Sequence, residues 1–422
     1  MNNVNVEPSQ LNGTVAIPPS KSDVHRAIIC GALSRGKCVI SPVDLSEDIK
    51  ATIGCVETLG AKVNISEGVL TIDGSEMFKG NNYQIFCNES GSLLRFIIPV
   101  VSAVGISATF TGAGRLPERP IGIYLDCLPK AGVKCTTKSG LPLTVEGQLQ
   151  AGTFEIPGNV SSQFITGLLF ALPLLKEDSK IILTSPLESV AYVDITINVM
   201  KKFGVIIETT DYGYFVKGNQ KYIPQNYTTE GDWSNAAFFM TAAAIKGDIT
   251  VTGVDKNSAQ GDKEIAEILK RFGAKVEFTD NSVRVQKGDL KATDIDARQI
   301  PDLVPILAVC ATFAEGITHV TGAERLRIKE SDRLSAIANA INKLGGNVIE
   351  KPDGLVITGV KSLKGGTVQG VNDHRIVMAM SVATLMATDT VTITDMESIK
   401  KSFPNYFEEY NRLGGISYVN LR

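Results

Sequence analysis

The sequence predicts an α/β protein of two domains, each built from three repeated βαβαββ-type units turned inside out, with buried helices and outer sheets. Three observations predict it. At 422 residues the chain is longer than one hydrophobic core usually organises, so two or three domains are expected. One pattern, a helix ending in glycine followed by a strand, a turn and a second strand, recurs six times. Each recurrence is accompanied by a second helix that is apolar on nearly every side.

The recurring segments are ETLGAKVNISEGVLTIDG, CLPKAGVKCTTKSGLPLTVEG, MKKFGVIIETTDYGYFVKG, LKRFGAKVEFTDNSVRVQKG, INKLGGNVIEKPDGLVITG and a truncated YNRLGGISYVN. Their marker glycines are Gly60, Gly132, Gly204, Gly273, Gly345 and Gly414, which by subtraction stand 72, 72, 69, 72 and 69 residues apart. Each glycine is expected to supply the left-handed residue that closes a helix, and the alternating segment after it reads as a half-buried hairpin. The apolar helices are expected to begin at Ser22, Ser92, Ser162, Ser234, Asp302 and Asp373, polar residues that make good N-caps. Helices of this kind must be buried in the middle of a domain, which places the strands outside them. PQNYTTE, from Pro224 to Glu230, interrupts the apolar pattern between the third and fourth units and marks a boundary between two bodies. By pattern alone the strand before Pro18-Pro19 fits either body.

Hydrophobic residues at 43% and charged residues at 21% are ordinary globular values, which exclude a disordered, fibrous or coiled-coil chain. The formal net charge of -3 gives no global attraction to nucleic acid or to an anionic membrane, so an anionic ligand must be held by a local cluster of cations. Seven cysteines, odd in number and never spaced as CxxC, suggest neither a disulfide framework nor a zinc site. No signal-peptide pattern and no apolar run of about 20 residues is present, so a cytoplasmic protein is expected.

The polar clusters fall at the N-terminal ends of the apolar helices, where free N–H groups and the positive dipole end favour anions. Basic residues accompany them: Lys21 and Arg26 in PPSKSDVHRA, Arg95 in NESGSLLRF, Arg119 in PERPIG, Lys329 and Arg333 in RIKESDRL, Arg375 in NDHRI and Lys401 in KKSFPNYF. Phosphates and carboxylates are the natural guests. Structural roles are open to the same residues: Arg95 as a buried partner of Glu89, Asp302 as a cap, and the Glu330 to Arg333 run as a solvated face. Three scattered histidines make no metal site; His25 and His319 read as unremarkable, whereas His374 is open to a site role. GxxxxGK[ST], GxGxxG after a strand and GxSxG are all missing, so phosphate binding without a nucleotide motif remains.

The ordered series PPSKSDVHRA, NESGSLLRF, RPIG, GNVSSQF, YVDITINVMKKFG, EGDWSNAAFF, IPDLVPILA, LRIKESDRL, NDHRIVMA and KSFPNYFEEY resembles the 5-enolpyruvylshikimate-3-phosphate synthase family over essentially the whole chain. The resemblance implies a two-domain inside-out α/β barrel, with residues 20–230 inserted in a domain formed by 1–19 plus 231–422 and the active site in the cleft between them. It implies transfer of the enolpyruvyl group of phosphoenolpyruvate to the 5-hydroxyl of shikimate 3-phosphate. Carried over motif by motif, shikimate 3-phosphate contacts are implied for Lys21, Ser22, Arg26, Ser161, Ser162, Gln163, Ser189, Tyr192, Asp302 and Lys329. Phosphoenolpyruvate contacts are implied for Lys21, Gly91, Arg119, Gln163, Arg333, Arg375 and Lys401. Glu330 is the expected acid toward the methylene carbon, Asp302 the base toward the hydroxyl and Lys21 the cation at the leaving phosphate, with His374 in support.

The chain departs from the family pattern at Arg325, where many relatives have Asn, and in NESGSLLR, which replaces the commoner GNAGTAMR but keeps Gly91. With Gly91 kept, the resemblance implies inhibition by glyphosate. No metal or organic cofactor, nucleic acid or membrane partner is implied, and a monomer is expected. Two rival readings are a UDP-N-acetylglucosamine enolpyruvyl transferase and a non-catalytic repeat scaffold. The first characteristically carries a Cys in the loop corresponding to GAGRLPERP, which here has none. In the second, polar motifs would repeat from unit to unit rather than differ.

Overall fold

The computed structural model describes residues 2–420. The chain divides into two compact units, one spanning Pro19–Thr229 and the other joining the segment that ends at Pro18 to the segment that begins at Glu230. Among the described residues the strands form six four-stranded sheets.

In the unit Pro19–Thr229 one repeat shows the plan. Strand Asn82–Phe86 runs parallel to Ser107–Thr111, which pairs antiparallel with Leu143–Gly147, itself antiparallel to Val133–Thr136. Helix Gly91–Val104 makes the first crossover and Gly122–Cys127 begins the second, giving βαβαββ. The second sheet repeats this with Thr153–Ile156, Ser179–Leu183, Gly213–Val216 and Ile207–Thr210. In the third, the strand parallel to Lys37–Ser41 is Asn226–Thr228, from the far end of the unit.

The other unit has the same plan with one repair. After Gly414 the described part of the sixth repeat supplies one strand, Ile416–Asn420, to the sheet that also holds Gly366–Val368 and Val391–Ile393. The N-terminal strand Asn3–Glu7 fills the gap, pairing antiparallel with both Val391–Ile393 and Ile416–Asn420. Val4 and Val6 on it are fully buried, so its alternation fixes which face meets the core. The next strand, Leu11–Ala16, runs parallel to Gly247–Thr252. Both N-terminal strands therefore belong to this unit.

The apolar helices form the interiors. All residues of Val304–Thr312 and His374–Ala383 are buried. The marker glycines close the amphipathic helices with φ between +81° and +109°, a region costly for any residue with a Cβ. Helix Gly91–Val104 carries Pro99, which cannot donate to the carbonyl of Arg95 one turn earlier. Tyr124 Oη donates to that carbonyl at 2.7 Å, so the orphaned acceptor is satisfied.

The helix starts differ from the sequence expectation by up to a turn. The capping oxygens belong to Ser90, Ser161 and Asp232, while Ser92 and Ser234 lie inside their helices and Ser22 follows a start at Lys21. Asp373 caps as expected, accepting from Arg375 N at 3.0 Å. Asp302 makes no cap: it sits in the 3-10 turn Pro301–Leu303 and its carboxylate pairs with cations instead. Nearby hydroxyls compete for the capping role, and sequence order alone does not rank them. Among the described residues no helix is long and apolar enough to cross a membrane.

Candidate active site

In the unit that holds residues 230–420, Arg333 organises the expected residues. Its side chain is 2% exposed. Nε and Nη2 reach the two oxygens of Asp373 at 2.8 and 3.3 Å, Nη1 reaches Asp302 at 2.9 Å and Nη2 reaches Glu330 at 2.7 Å. A guanidinium has five N–H groups, and these bonds engage four of them. Asp302 also accepts from Arg375 Nη2 at 3.1 Å and lies 3.5 Å from Lys329 Nζ. Three cations thus converge on one carboxylate. Burial pulls the Lys329 ammonium below its usual pKa, opposed by the charge of Asp302. Asp373 further accepts from Ser331 Oγ at 2.9 Å, which fixes the turn that presents Lys329 and Glu330.

His374 is buried, with Nδ1 3.8 Å from Asp373 Oδ1. Lys401 is buried as well and donates to the Asn372 carbonyl at 2.7 Å. The backbone just before Asp373 is strained, with φ of +48° at Val371 and +52° at Asn372, and a β-branched residue rarely adopts such an angle. Arg325 is buried and donates to the Arg298 carbonyl at 2.7 Å.

In the unit Pro19–Thr229 the expected residues also sit at helix starts. Lys21 opens helix Lys21–Leu33, and its Nζ lies 3.0 Å from Asp48 Oδ2. Arg26, one turn further along and 3% exposed, donates to Ser22 O at 2.6 Å, Thr196 Oγ1 at 2.7 Å and Tyr192 O at 2.9 Å. It therefore ties helix Lys21–Leu33 to helix Val190–Lys202, and burial lowers its pKa to about 10. Ser161 Oγ accepts from Gln163 N at 3.3 Å, and the Gln163 side-chain oxygen accepts from Arg95 Nη1 at 2.5 Å. Arg95 is thereby paired with Gln163 and with the Pro120 carbonyl, at 2.9 Å. Ser162 is buried on the first turn of the same helix, and Ser189, also buried, starts helix Val190–Lys202 with φ +56°.

Gly91 and Arg119 form a close pair. A Cβ added at Gly91 would stand 2.7 Å from both Cζ and Nη1 of Arg119, so the guanidinium rests on bare backbone.

The structure adds residues that sequence reasoning did not place among the site groups. Asp48 faces Lys21 across 27 positions of sequence, and only the acidic start of its helix hinted at it. Asp373 had been noticed as a cap, whereas it also carries Arg333. Asp262, in the turn Gly261–Glu264, had no motif to mark it.

A family model described as EPSP synthase (3-phosphoshikimate 1-carboxyvinyltransferase) matches residues 6–410. A 3-phosphoshikimate 1-carboxyvinyltransferase of Clostridium perfringens is 47% identical over 420 residues, covering 99% of each chain. Its counterpart in Clostridium kluyveri is 45% identical over 417 residues, covering 98% of each. Among solved structures, an EPSP synthase of Acinetobacter baumannii superposes with a TM-score of 0.85 at 26% identity, covering 100% of both chains.

Proposed function

The chain belongs to the EPSP synthase family, and from that premise we propose how its residues divide the reaction. The protein is an enolpyruvyl transferase: it moves the enolpyruvyl group of phosphoenolpyruvate to the 5-hydroxyl of shikimate 3-phosphate and releases phosphate, a step of aromatic amino-acid synthesis. The reaction is an addition followed by an elimination. A proton adds to the methylene carbon, the substrate hydroxyl attacks C2 and loses its proton, and a tetrahedral ketal phosphate forms. The C2–O bond to phosphate then breaks as the new methyl group gives up a proton.

The observation that carries the assignment is the single buried guanidinium of Arg333, which holds both Asp302 and Glu330. Two carboxyl groups braced on one planar fork keep a fixed separation, as an acid and a base acting on neighbouring atoms require. Glu330 delivers the proton to the methylene carbon and takes it back in the elimination. Asp302 receives the hydroxyl proton, and Lys329 beside it helps to orient the ring. Lys21, oriented by Asp48, neutralises the leaving phosphate. Arg119, Arg375 and Lys401, with Arg333, hold the anionic groups of phosphoenolpyruvate. Gly91 leaves room for backbone approach, while Ser161, Ser162, Gln163 and Ser189 give neutral hydrogen bonds to the acceptor ring, with Ser22 and Tyr192 alongside. His374 packs at Asp373 and supports the acid–base groups from there. Arg26 acts through the helix pair that it joins.

Turnover in deuterium oxide tests these roles. Deuterium should enter the vinyl methylene group of the product, because a methyl intermediate loses one of three hydrogens. Glu330→Gln should suppress both incorporation and turnover. Normal incorporation in that variant would remove Glu330 from the proton transfer.

A further inference from the structure

Two contacts, one helical turn apart, join helix Lys21–Leu33 to helix Glu47–Thr58. Lys21 Nζ lies 3.0 Å from Asp48 Oδ2, and His25 Nδ1 lies 2.6 Å from Thr52 Oγ1. Lys21 and His25 share one face of the first helix, Asp48 and Thr52 share one face of the second, and each contact spans 27 positions of sequence. The contacts are therefore successive rungs of one ladder. Thr52 Oγ1 carries a single hydrogen, which goes to the Asp48 carbonyl at 3.0 Å, so the imidazole is the donor in the second rung, with its proton on Nδ1. Burial pushes the His25 pKa down to about 3, which keeps the ring neutral at pH 7. His25 Nε2 is buried and has no hydrogen-bond partner among the described residues. A ring kept only to fill space would be apolar, because an unsatisfied nitrogen is a cost that an apolar side chain avoids. The bond to Thr52 is what an imidazole supplies here and an apolar ring would lack.

We propose that His25 and Thr52 are a positioning pair for Lys21: their hydrogen bond fixes the register of helix Glu47–Thr58 against helix Lys21–Leu33, so that Asp48 holds the Lys21 ammonium in one place while phosphate leaves. The proposal rests on the reading of Lys21 as the cation at the leaving phosphate. The first rung cannot fix that register by itself. The Lys21 and Asp48 side chains are 19% and 13% exposed, and water competes for both charges of a partly solvated ion pair. Thr52 and His25 are 0% and 1% exposed, so their bond lies in a low-dielectric setting where breaking it leaves both partners unsatisfied. Thr52 also bonds the carbonyl of Asp48, so the hydroxyl that receives His25 is tied directly to the residue that faces Lys21.

Steady-state kinetics on Thr52→Val, which removes the hydroxyl at nearly constant shape, tests the pairing. A misplacement of about 1 Å can cost about 10²-fold in rate, so a partial loss of register should lower kcat about tenfold, with a smaller change in KM for phosphoenolpyruvate. Thr52→Ser keeps the hydroxyl and should keep kcat. Ile53→Val loosens the buried face of the same helix without touching either rung, so it should lower the melting temperature and leave kcat as it is. An equal kcat loss in Ile53→Val, or a loss in Thr52→Ser as large as in Thr52→Val, would overturn the proposal. Asp48→Asn closes a double-mutant cycle: alone it should lower kcat, and Thr52→Val added to it should lower kcat little further, because the pair acts through Asp48. Losses that multiply would overturn the proposal. If Thr52→Val does not fold, the same cycle is run with His25→Leu, which leaves Thr52 bonded to the Asp48 carbonyl and removes the imidazole. Lys21→Ala separates the two readings. A collapse of kcat there, with unchanged kcat in Thr52→Val, defeats only the positioning role, whereas unchanged kcat in Lys21→Ala defeats the Lys21 assignment and the proposal with it.

Discussion

The two units present their expected site residues in different chemical settings. In the unit with residues 230–420, three carboxylates, Asp302, Glu330 and Asp373, are locked to Arg333, and Arg375 and Lys329 add to Asp302. In Pro19–Thr229, hydroxyls and an amide at helix starts predominate, with Lys21 balanced by Asp48 and Arg119 resting on Gly91. The contrast teaches a division of labour. Interlocked acids and bases suit proton transfer, while neutral donors and separate cations suit recognition of a hydroxylated, anionic ring.

If that division holds, substitutions of Asp302 and Glu330 should fall on kcat, and those of Gly91 and the helix-start hydroxyls of Pro19–Thr229 on KM. The largest effect is expected from Asp302→Asn, which should lower kcat by about 10²–10⁴-fold while phosphoenolpyruvate still binds. Steady-state kinetics beside direct binding reads this, and unchanged turnover would remove Asp302 from the mechanism. Arg333→Lys should come next. An ammonium cannot bridge three carboxylates, so turnover should drop, and the denaturation midpoint should show a loss of about 3–5 kcal/mol from a broken buried ion-pair network.

In the recognition unit, Gly91→Ala should push Arg119 aside and raise KM for phosphoenolpyruvate about tenfold, equivalent to about 1.4 kcal/mol, with a smaller change in kcat. A kcat loss as large as that of Asp302→Asn would blur the comparison.

A further effect concerns pH and has opposite sign in the two units. His25 is buried against Thr52, and desolvation lowers its pKa to about 3. The unfolded chain binds a proton below about 6.5 that folded His25 refuses, so stability is lost as pH falls from about 6.5 toward 3. His25→Gln should reduce the loss between pH 7 and pH 4.5 by up to about 3 kcal/mol in denaturant titrations. Asp262 runs the other way. Folded Asp262 keeps its proton up to about pH 6 and the unfolded carboxyl loses it near 3.8, so its contribution to stability falls as pH rises across that window. Asp262→Asn should therefore stabilise the protein at pH 7.5 and change little at pH 3.5.

Much of this is legible in the sequence. Spaced glycines forecast the left-handed helix ends because few other residues tolerate them. The place of NVNVE between Val391–Ile393 and Ile416–Asn420 was not legible, since a short alternating segment fits any open sheet edge and only tertiary packing chooses. The family resemblance implied one site for Asp302, Glu330 and Arg333, while the residues alone left open the cap reading of Asp302 that the ion pairs displaced. Arg26 shows the opposite limit. Its partners Thr196 and Tyr192 lie 170 and 166 positions away, so its ties between helices could not be read from its own motif. Asp48 and Asp262 were silent for the same reason: their meaning comes from charges brought to them by folding.

The most direct test of the central claim is phosphate release from phosphoenolpyruvate by the purified protein, measured in parallel with shikimate 3-phosphate and with UDP-N-acetylglucosamine as acceptor. The account predicts release with shikimate 3-phosphate alone. Release only with the nucleotide sugar, or no release from folded protein with either acceptor, would contradict it.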